Sequence, residues 1–166
     1  MTIQSKISPC LWFDGQAEDA ARFYVSVFPN SKITAISRYS EAGQEVHGKP
    51  PGSVLTVAFE LDGLSFTALN GGPHFQFSPA VSFQIECENQ DEVDYYWEKL
   101  KEGGEPRAQQ CGWVADKFAL SWQVVPKILP ELIGSSDTEK SQRAFQAMLT
   151  MKKLDIAALQ RAFDGV

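Results

Sequence analysis

Few side chains in this sequence are of a type that takes or gives a proton near neutral pH, and they lie far apart in the chain. His47 and His74 are its two histidines, and imidazole is the side chain whose charge changes in that range. His47 falls in a polar stretch where solvation accounts for it. His74 follows Asn70-Gly71-Gly72-Pro73 and precedes Phe75 and Phe77; at the mouth of a cleft it would serve as acid or base, and a structural hydrogen bond in a crossover loop accounts for it equally. Asp116 stands at a turn, either as a general base or as an acid that satisfies hairpin amides. Cys10, Cys87 and Cys111 are odd in number, widely spaced and without a C-x-x-C pair. That fits reduced, small buried side chains better than a disulfide framework or a zinc knuckle. Nothing in the sequence sets a cysteine beside a histidine, so neither a Cys-His nor a Ser-His-Asp arrangement is supported.

The elements that would position these groups are legible from hydrophobic spacing. Residues 8–13 are apolar or aromatic behind a proline and read as a strand covered on both faces. From Gln16 the spacing turns helical, with Ala17, Ala20, Ala21, Tyr24, Val27 and Phe28 on one face, Glu18 and Asp19 in the first turn, and Pro29-Asn30 as the stop. Residues 31–40 alternate as a strand, with Ile33, Ala35, Ser37 and Tyr39 opposite Lys32, Thr34, Ile36 and Arg38. Residues 41–53 carry Gly43, Gly48 and Pro50-Pro51-Gly52 and read as a long loop, a length that suits a lid or binding loop and suits disorder as well. Two strands, 54–61 and 64–70, flank Asp62-Gly63, the signature of a type I′ hairpin.

The order then returns. Residues 80–88 alternate, with Val81, Phe83, Ile85 and Cys87 on the core side and Ser82, Gln84, Glu86 and Glu88 opposite. Gln84 and Glu86 are ligand contacts if that polar face looks into a cleft, and solvated if it looks outward. Asn89 and Glu92 form a capping box for a helix that buries Val93, Tyr96, Trp97 and Leu100 and closes at Gly103-Gly104. Short strands are expected at 106–112, 113–115 and 118–125, so the second half repeats strand, helix and three strands. From Pro126 the character changes. A capping box at Ser136 and Glu139 precedes a helix with Phe145, Met148, Leu149 and Met151 on its apolar face, and a shorter helix starts at Asp155, buries Ile156, Leu159 and Phe163, and stops at Gly165.

Composition bounds the function. The chain has 166 residues, a formal charge of -6 and a pI near 4.9, which argues against the basic footprint of a nucleic-acid binder. No charged-then-apolar leader is visible and the apolar runs are strand-length, so a cytoplasmic protein without a membrane contact is the expectation. A glycine-rich cofactor loop after an early parallel strand is missing: Gly71-Gly72 follows a hairpin strand and Gly103-Gly104 a helix.

The tandem βαβββ order resembles the vicinal oxygen chelate superfamily, the glyoxalase/bleomycin-resistance fold. The blocks ISPCLWFDGQAEDAARFYVSVFPNS, LNGGPHFQFSPAVSF, GWVADKFALSWQVVP and AMLTMKKLDIAALQRAF resemble its PhnB-like family, often labelled 3-demethylubiquinone-9 3-methyltransferase. The match covers nearly the whole chain, with one departure: Ala119 stands where the family usually has glycine after the DKF triplet. The resemblance implies an α+β fold of two curled mixed sheets around a cleft. A glyoxalase-like domain over 1–130 would contain module one at 5–72 and module two at 79–126, followed by a helical tail over 131–166. It places the superfamily's metal-ligand positions near Ile7, at Ser82, on the 64–70 strand and at Gln123. Those residue types do not grip a divalent cation tightly, so no metal and no cofactor are expected.

The same resemblance puts Trp12, Trp113 and Trp122 around the cleft. With Asn70, Ser82, Gln84 and Gln123 as polar points, such a cleft would suit a flat or apolar small molecule. The expected protein is therefore a homodimeric small-molecule binder. The alternatives are a methyltransferase as the family label says, a metal-assisted lyase or dioxygenase with an incomplete ligand set, and a scaffold whose tail mediates association.

Overall fold

The computed structural model describes residues 5–166 and divides into two compact units, the first ending at Gln76 and the second beginning at Phe77. Among the described residues no helix is long and apolar enough to cross a membrane.

The first unit runs β1 (Cys10–Phe13), α1 (Ala17–Val27), β2 (Lys32–Arg38), α2 (Gln44–His47), β3 (Val54–Leu61) and β4 (Leu64–Asn70). Its sheet has the order β1-β4-β3-β2, with β1 parallel to β4 and the β4-β3 and β3-β2 pairs antiparallel. Asp62 and Gly63 both take positive φ, 47° and 83°, which is what a type I′ turn requires. The alanines on α1 let the helix approach the sheet closely, so that Ala17, Ala20, Ala21, Tyr24 and Val27 are all buried. Tyr24 stacks on Phe59 at 6.2 Å between centroids and Phe59 on Phe66 at 5.2 Å. Burying rings of this size contributes roughly 1.5–3 kcal/mol each.

Two expectations in this unit change. The β2-β3 register shifts between Ile33 and Ala35, and this bulge leaves Ile33 and Ile36, rather than Ile33 and Ala35, as the half-buried pair of β2. Residues 41–53 are ordered by α2, which sits between left-handed Gly43 and Gly48. Tyr39 closes the base of this segment, its N–H donating to Ser53 O at 2.8 Å and its carbonyl accepting from Gly52 N–H at 2.8 Å.

The second unit runs β5 (Ser82–Cys87), α3 (Gln90–Lys101), a 3-10 turn (Pro106–Ala108), β6 (Trp113–Ala115), β7 (Ser121–Pro126), α4 (Leu129–Ile133), α5 (Thr138–Leu149) and α6 (Ile156–Asp164). Its sheet order is β5-β7-β6, and again the first strand lies parallel to the last. The expected third strand at 106–112 is replaced. Proline at the start of the turn and the Glu105 carboxylate accepting from Arg107 N–H favour a 3-10 turn, and Cys111 adopts φ 51°, so only an isolated bridge from Gln110 to Trp113 remains. Val81 lies before the strand and is exposed, whereas Ile85 and Cys87 are buried as expected.

The helices after β7 belong to this same unit. Leu129, Leu132, Ala144, Leu154 and Leu159 form their core, with Met148, Met151 and Phe163 packed against it. Phe145 and Leu149 are exposed, because the inward stripe of α5 runs through the smaller Ala144 and Ala147 rather than through its largest side chains. The α5 cap is Asp137, whose carboxylate accepts from Lys140 N–H, one residue beyond the expected Ser136. Backbone bonds fasten the tail to its own sheet: Cys111 N–H donates to Met151 O and Gly112 N–H to Lys152 O, both at 2.8 Å. Gln90 adds two more, donating to Leu154 O at 3.0 Å and accepting from Ile156 N–H at 2.8 Å. The tail therefore packs in cis.

The β6-β7 connection turns on Asp116 and on Ala119, which holds φ 67°. A left-handed conformation costs a residue with a Cβ roughly 1 kcal/mol or more. Replacing Ala119 with glycine should therefore raise stability by about 0.5–1 kcal/mol, read as an upward shift of the urea midpoint with an unchanged m-value.

Candidate functional site

The crossover helix of each unit covers one face of its sheet. In the first unit the covered face carries Leu11, Phe13, Val57, Phe59, Phe66, Ala68 and Asn70, all buried. The opposite face carries Cys10, Trp12, Thr56, Thr67 and Leu69, none of them fully buried. The chain after β4 folds back over Trp12. The indole Nε1–H donates to Gly72 O at 2.8 Å, Phe75 meets the ring edge-on at 4.8 Å, and a Cβ on Gly71 would stand 2.2 Å from ring atoms. Gly71 is thus the residue type this approach demands.

In the second unit the covered face carries Trp122, Val114, Ile85, Val124 and Cys87, with α3 contributing buried Val93, Trp97 and Leu100. Register places Ser82 opposite Ser121, and Gln84 and Trp113 on either side of Gln123, on the other face. A row of amides runs across it. Gln123 Nε2–H donates to Ser82 Oγ at 2.8 Å, and Gln84 Nε2 lies 3.4 Å from Gln123 Oε1. Trp113 and Gln123 are half-buried, and Gln84 is exposed.

The residues expected to share a cleft are thus divided by face. Trp12, Ser82, Gln84, Trp113 and Gln123 stand on the uncovered faces of their sheets. Trp122 does not: it is 3 % exposed on the helix side, its Nε1–H donating to Asp116 Oδ2 at 2.8 Å. Asn70 also faces the helix, accepting from Ala17 N–H at 2.9 Å and donating to Val54 O at 3.1 Å. Asp116 is 2 % exposed and its Oδ1 accepts from the N–H groups of Phe118 and Leu120, so of its two readings the structure shows the hairpin acid. His74 is exposed beside Gly72. His47 packs on Tyr39 at 4.6 Å and its Nδ1 accepts from Lys49 N–H at 2.9 Å, which leaves the proton on Nε2, 3.1 Å from Ala42 O.

Of the three cysteines expected as small buried side chains, Cys87 alone is buried, while Cys10 is exposed and Cys111 half-buried. Burial, reinforced by the negative charge of Glu92 and only partly offset by hydrogen bonding with the Val125 backbone, pushes the Cys87 thiol from 9.0 up to about 12. Partial burial also raises Cys10, and thiolate is the reactive form.

Sequence reasoning passed over a concavity in the first unit. A cavity of about 330 Å³ is lined by Gly15, Glu18, Asp19, Tyr39, Lys49 and Pro50, together with Ser53, Val54 and Asn70. The glycine and proline spacing of 41–53 read as a long loop that suited a lid, a binding loop or disorder alike, and nothing in the spacing singled out Lys49 or Tyr39.

With this geometry in hand, comparison with known proteins is informative. A family model described as 3-demethylubiquinone-9 3-methyltransferase matches residues 5–125, and the chain belongs to that PhnB-like family. A structure described as a putative 3-demethylubiquinone-9 3-methyltransferase, PhnB protein, from Bacillus cereus is 35% identical, covers 74% of this chain and 99% of its own, and has a TM-score of 0.62. Protein PA1353 from Pseudomonas aeruginosa shares the fold at 17% identity, with 75% of this chain and 98% of that one covered and a TM-score of 0.56. A glyoxylase/bleomycin resistance protein/dioxygenase domain from Frankia sp. EAN1pec is also similar, at 13% identity, 75% and 93% coverage and a TM-score of 0.47. No curated protein matches the chain.

The groups that this family implies do not fit the residues present. At the superfamily's metal positions stand Ile7, Ser82 and Gln123, and among the described residues no three of His, Cys, Asp and Glu come together as ligands. For S-adenosylmethionine, the strand-to-helix turn from β1 to α1 carries the single glycine Gly15. The first amide of that helix is already taken by Asn70, where a cofactor-binding turn offers free backbone donors.

The Cys87 shift has a definite sign. A thiol that stays neutral in the fold while its unfolded counterpart ionises contributes stability fully below pH 9, and that contribution is lost as pH rises towards 12. Urea unfolding of Cys87→Ala should show a shallower alkaline fall in stability across that window than the wild type does.

Proposed function

We propose that the protein binds a small, flat organic molecule against the uncovered face of the second unit's sheet, through ring contacts and amide hydrogen bonds and without a tightly held metal. The observation that carries this reading is the Ser82-Gln123-Gln84 row beside Trp113. Sheet faces exposed to solvent usually carry charged residues, whereas half-buried tryptophan with neutral donors and acceptors is the composition of a ligand site. The three residues of the row are neutral, and Glu86 further along the same face disfavours an anion, so the row suits a neutral polar ligand.

Methyl transfer, the activity in the family's description, requires a cofactor that the β1-α1 turn does not suit, so no step of that chemistry is assigned to these residues. The proposed protein works as a homodimer, in keeping with its family resemblance.

Titration calorimetry with a panel of quinones and other planar aromatics tests the reading. At least one should bind, and Trp113→Ala and Gln123→Leu should each weaken it about tenfold, a loss of about 1.4 kcal/mol. Binding that ignores both substitutions would contradict the site. A saturable rise in melting temperature with S-adenosylmethionine would reinstate the methyltransferase.

A further inference from the structure

The cavity under the 41–53 segment is a second concavity, formed wholly within the first unit and on the other side of β4 from the uncovered face. Asn70 is at its floor. That side chain is committed to Ala17 and Val54, and the backbone carbonyl of Asn70 accepts from the Tyr39 hydroxyl at 2.6 Å. The floor is therefore rigid, with Tyr39, Pro50 and Val54 giving it apolar surface and Ser53 a hydroxyl.

Its charges are unusual. Lys49 lines the cavity and is half-buried, yet among the described residues its ammonium has no carboxylate partner. The segment holds it in place, because the Lys49 N–H is bonded to His47 Nδ1. Lys49 Nζ ends near Gly72, where an added Cβ would stand 3.5 Å from it. Asp19 lines the same cavity and likewise has no ion-pair partner among the described residues. Glu18 beside it is engaged by Arg22 at 2.8 Å. A cation and an anion thus face one space without meeting each other.

From this arrangement we propose that the cavity binds a small zwitterion of the α-amino acid class, its carboxylate at Lys49 and its ammonium at Asp19. A plain anion would meet Asp19 and Glu18, and a plain cation would meet Lys49, so only a molecule with both charges satisfies both walls. The volume, about 330 Å³, is at the small end of ligand pockets and suits a ligand of this size. Tyr39 and Val54 offer the ligand's side chain an apolar surface.

Calorimetry with each proteinogenic L-amino acid at millimolar concentration tests the site. At least one should bind the wild type, and Lys49→Met and Asp19→Asn, both at accessible positions that leave the core untouched, should each weaken it at least tenfold. The amine lacking the carboxylate and the acid lacking the amine should each bind at least tenfold more weakly than the parent amino acid. Trp113→Ala should leave this binding unchanged, which separates it from the site proposed on the second sheet. Absence of binding by every amino acid, equal affinity in both charge variants, or equal affinity for the amine alone would overturn the proposal.

Discussion

Parallel pairing of the first strand with the last is the constraint on which each unit depends. Parallel neighbours cannot be joined by a tight turn, so the chain must leave the sheet, cross over it as a helix and return. β1 meets β4, and β5 meets β7, in each case the first strand of the sheet and the last in sequence. The crossover helix then buries one face and leaves the other uncovered. This is why Trp12 and the Ser82-Gln123-Gln84 row face away from the cores: alternation along a strand sends every second side chain to the side without a helix.

Local devices hold this arrangement at its stress points. In the first unit Asn70 ties the end of β4 to the start of α1 and to β3 through two hydrogen bonds of one buried amide. In the second, Asp116 performs the related task for the β6-β7 hairpin, where one carboxylate accepts from two backbone amides and the Trp122 indole. A buried carboxylate is tolerable only when its oxygens are satisfied in this way. The consequence for function is indirect. With Trp122 locked on the helix side, Trp113 is the tryptophan of that hairpin left on the uncovered face.

Much of the fold was legible because period and punctuation agreed. Asp62-Gly63 specified its turn, the alanine-rich stripe specified the buried face of α1, and Asn89 capped α3 by accepting from Glu92 N–H. The failures lie where two local preferences compete. Residues 106–112 contain strand-length spacing, but proline and Glu105 favour a tight turn, and the turn prevailed. Ser136 and Asp137 are both good caps, and the carboxylate took the role. On α5 the largest apolar residues suggested the buried stripe, while the close approach of α6 selected alanine.

The site was less legible than the fold, because side-chain direction depends on register. Trp113 and Trp122 look equivalent in sequence, yet pairing puts them on opposite faces. Asn70 resembled a ligand contact and is a structural amide. Lys49 resembled any loop lysine until the ordered 41–53 segment brought it against the same cavity as Asp19, 30 positions earlier in the chain.

The central claim is that ligand meets the uncovered face of the second sheet and leaves the helix-covered side alone, and the indole N–H resonances report it directly, since Trp113 stands on the former while Trp122 and Trp97 of α3 are buried on the latter. In a two-dimensional ¹H–¹⁵N spectrum, saturating ligand should shift Trp113 while Trp97 and Trp122 stay in place. Movement of Trp97 and Trp122 with Trp113 unmoved would contradict it.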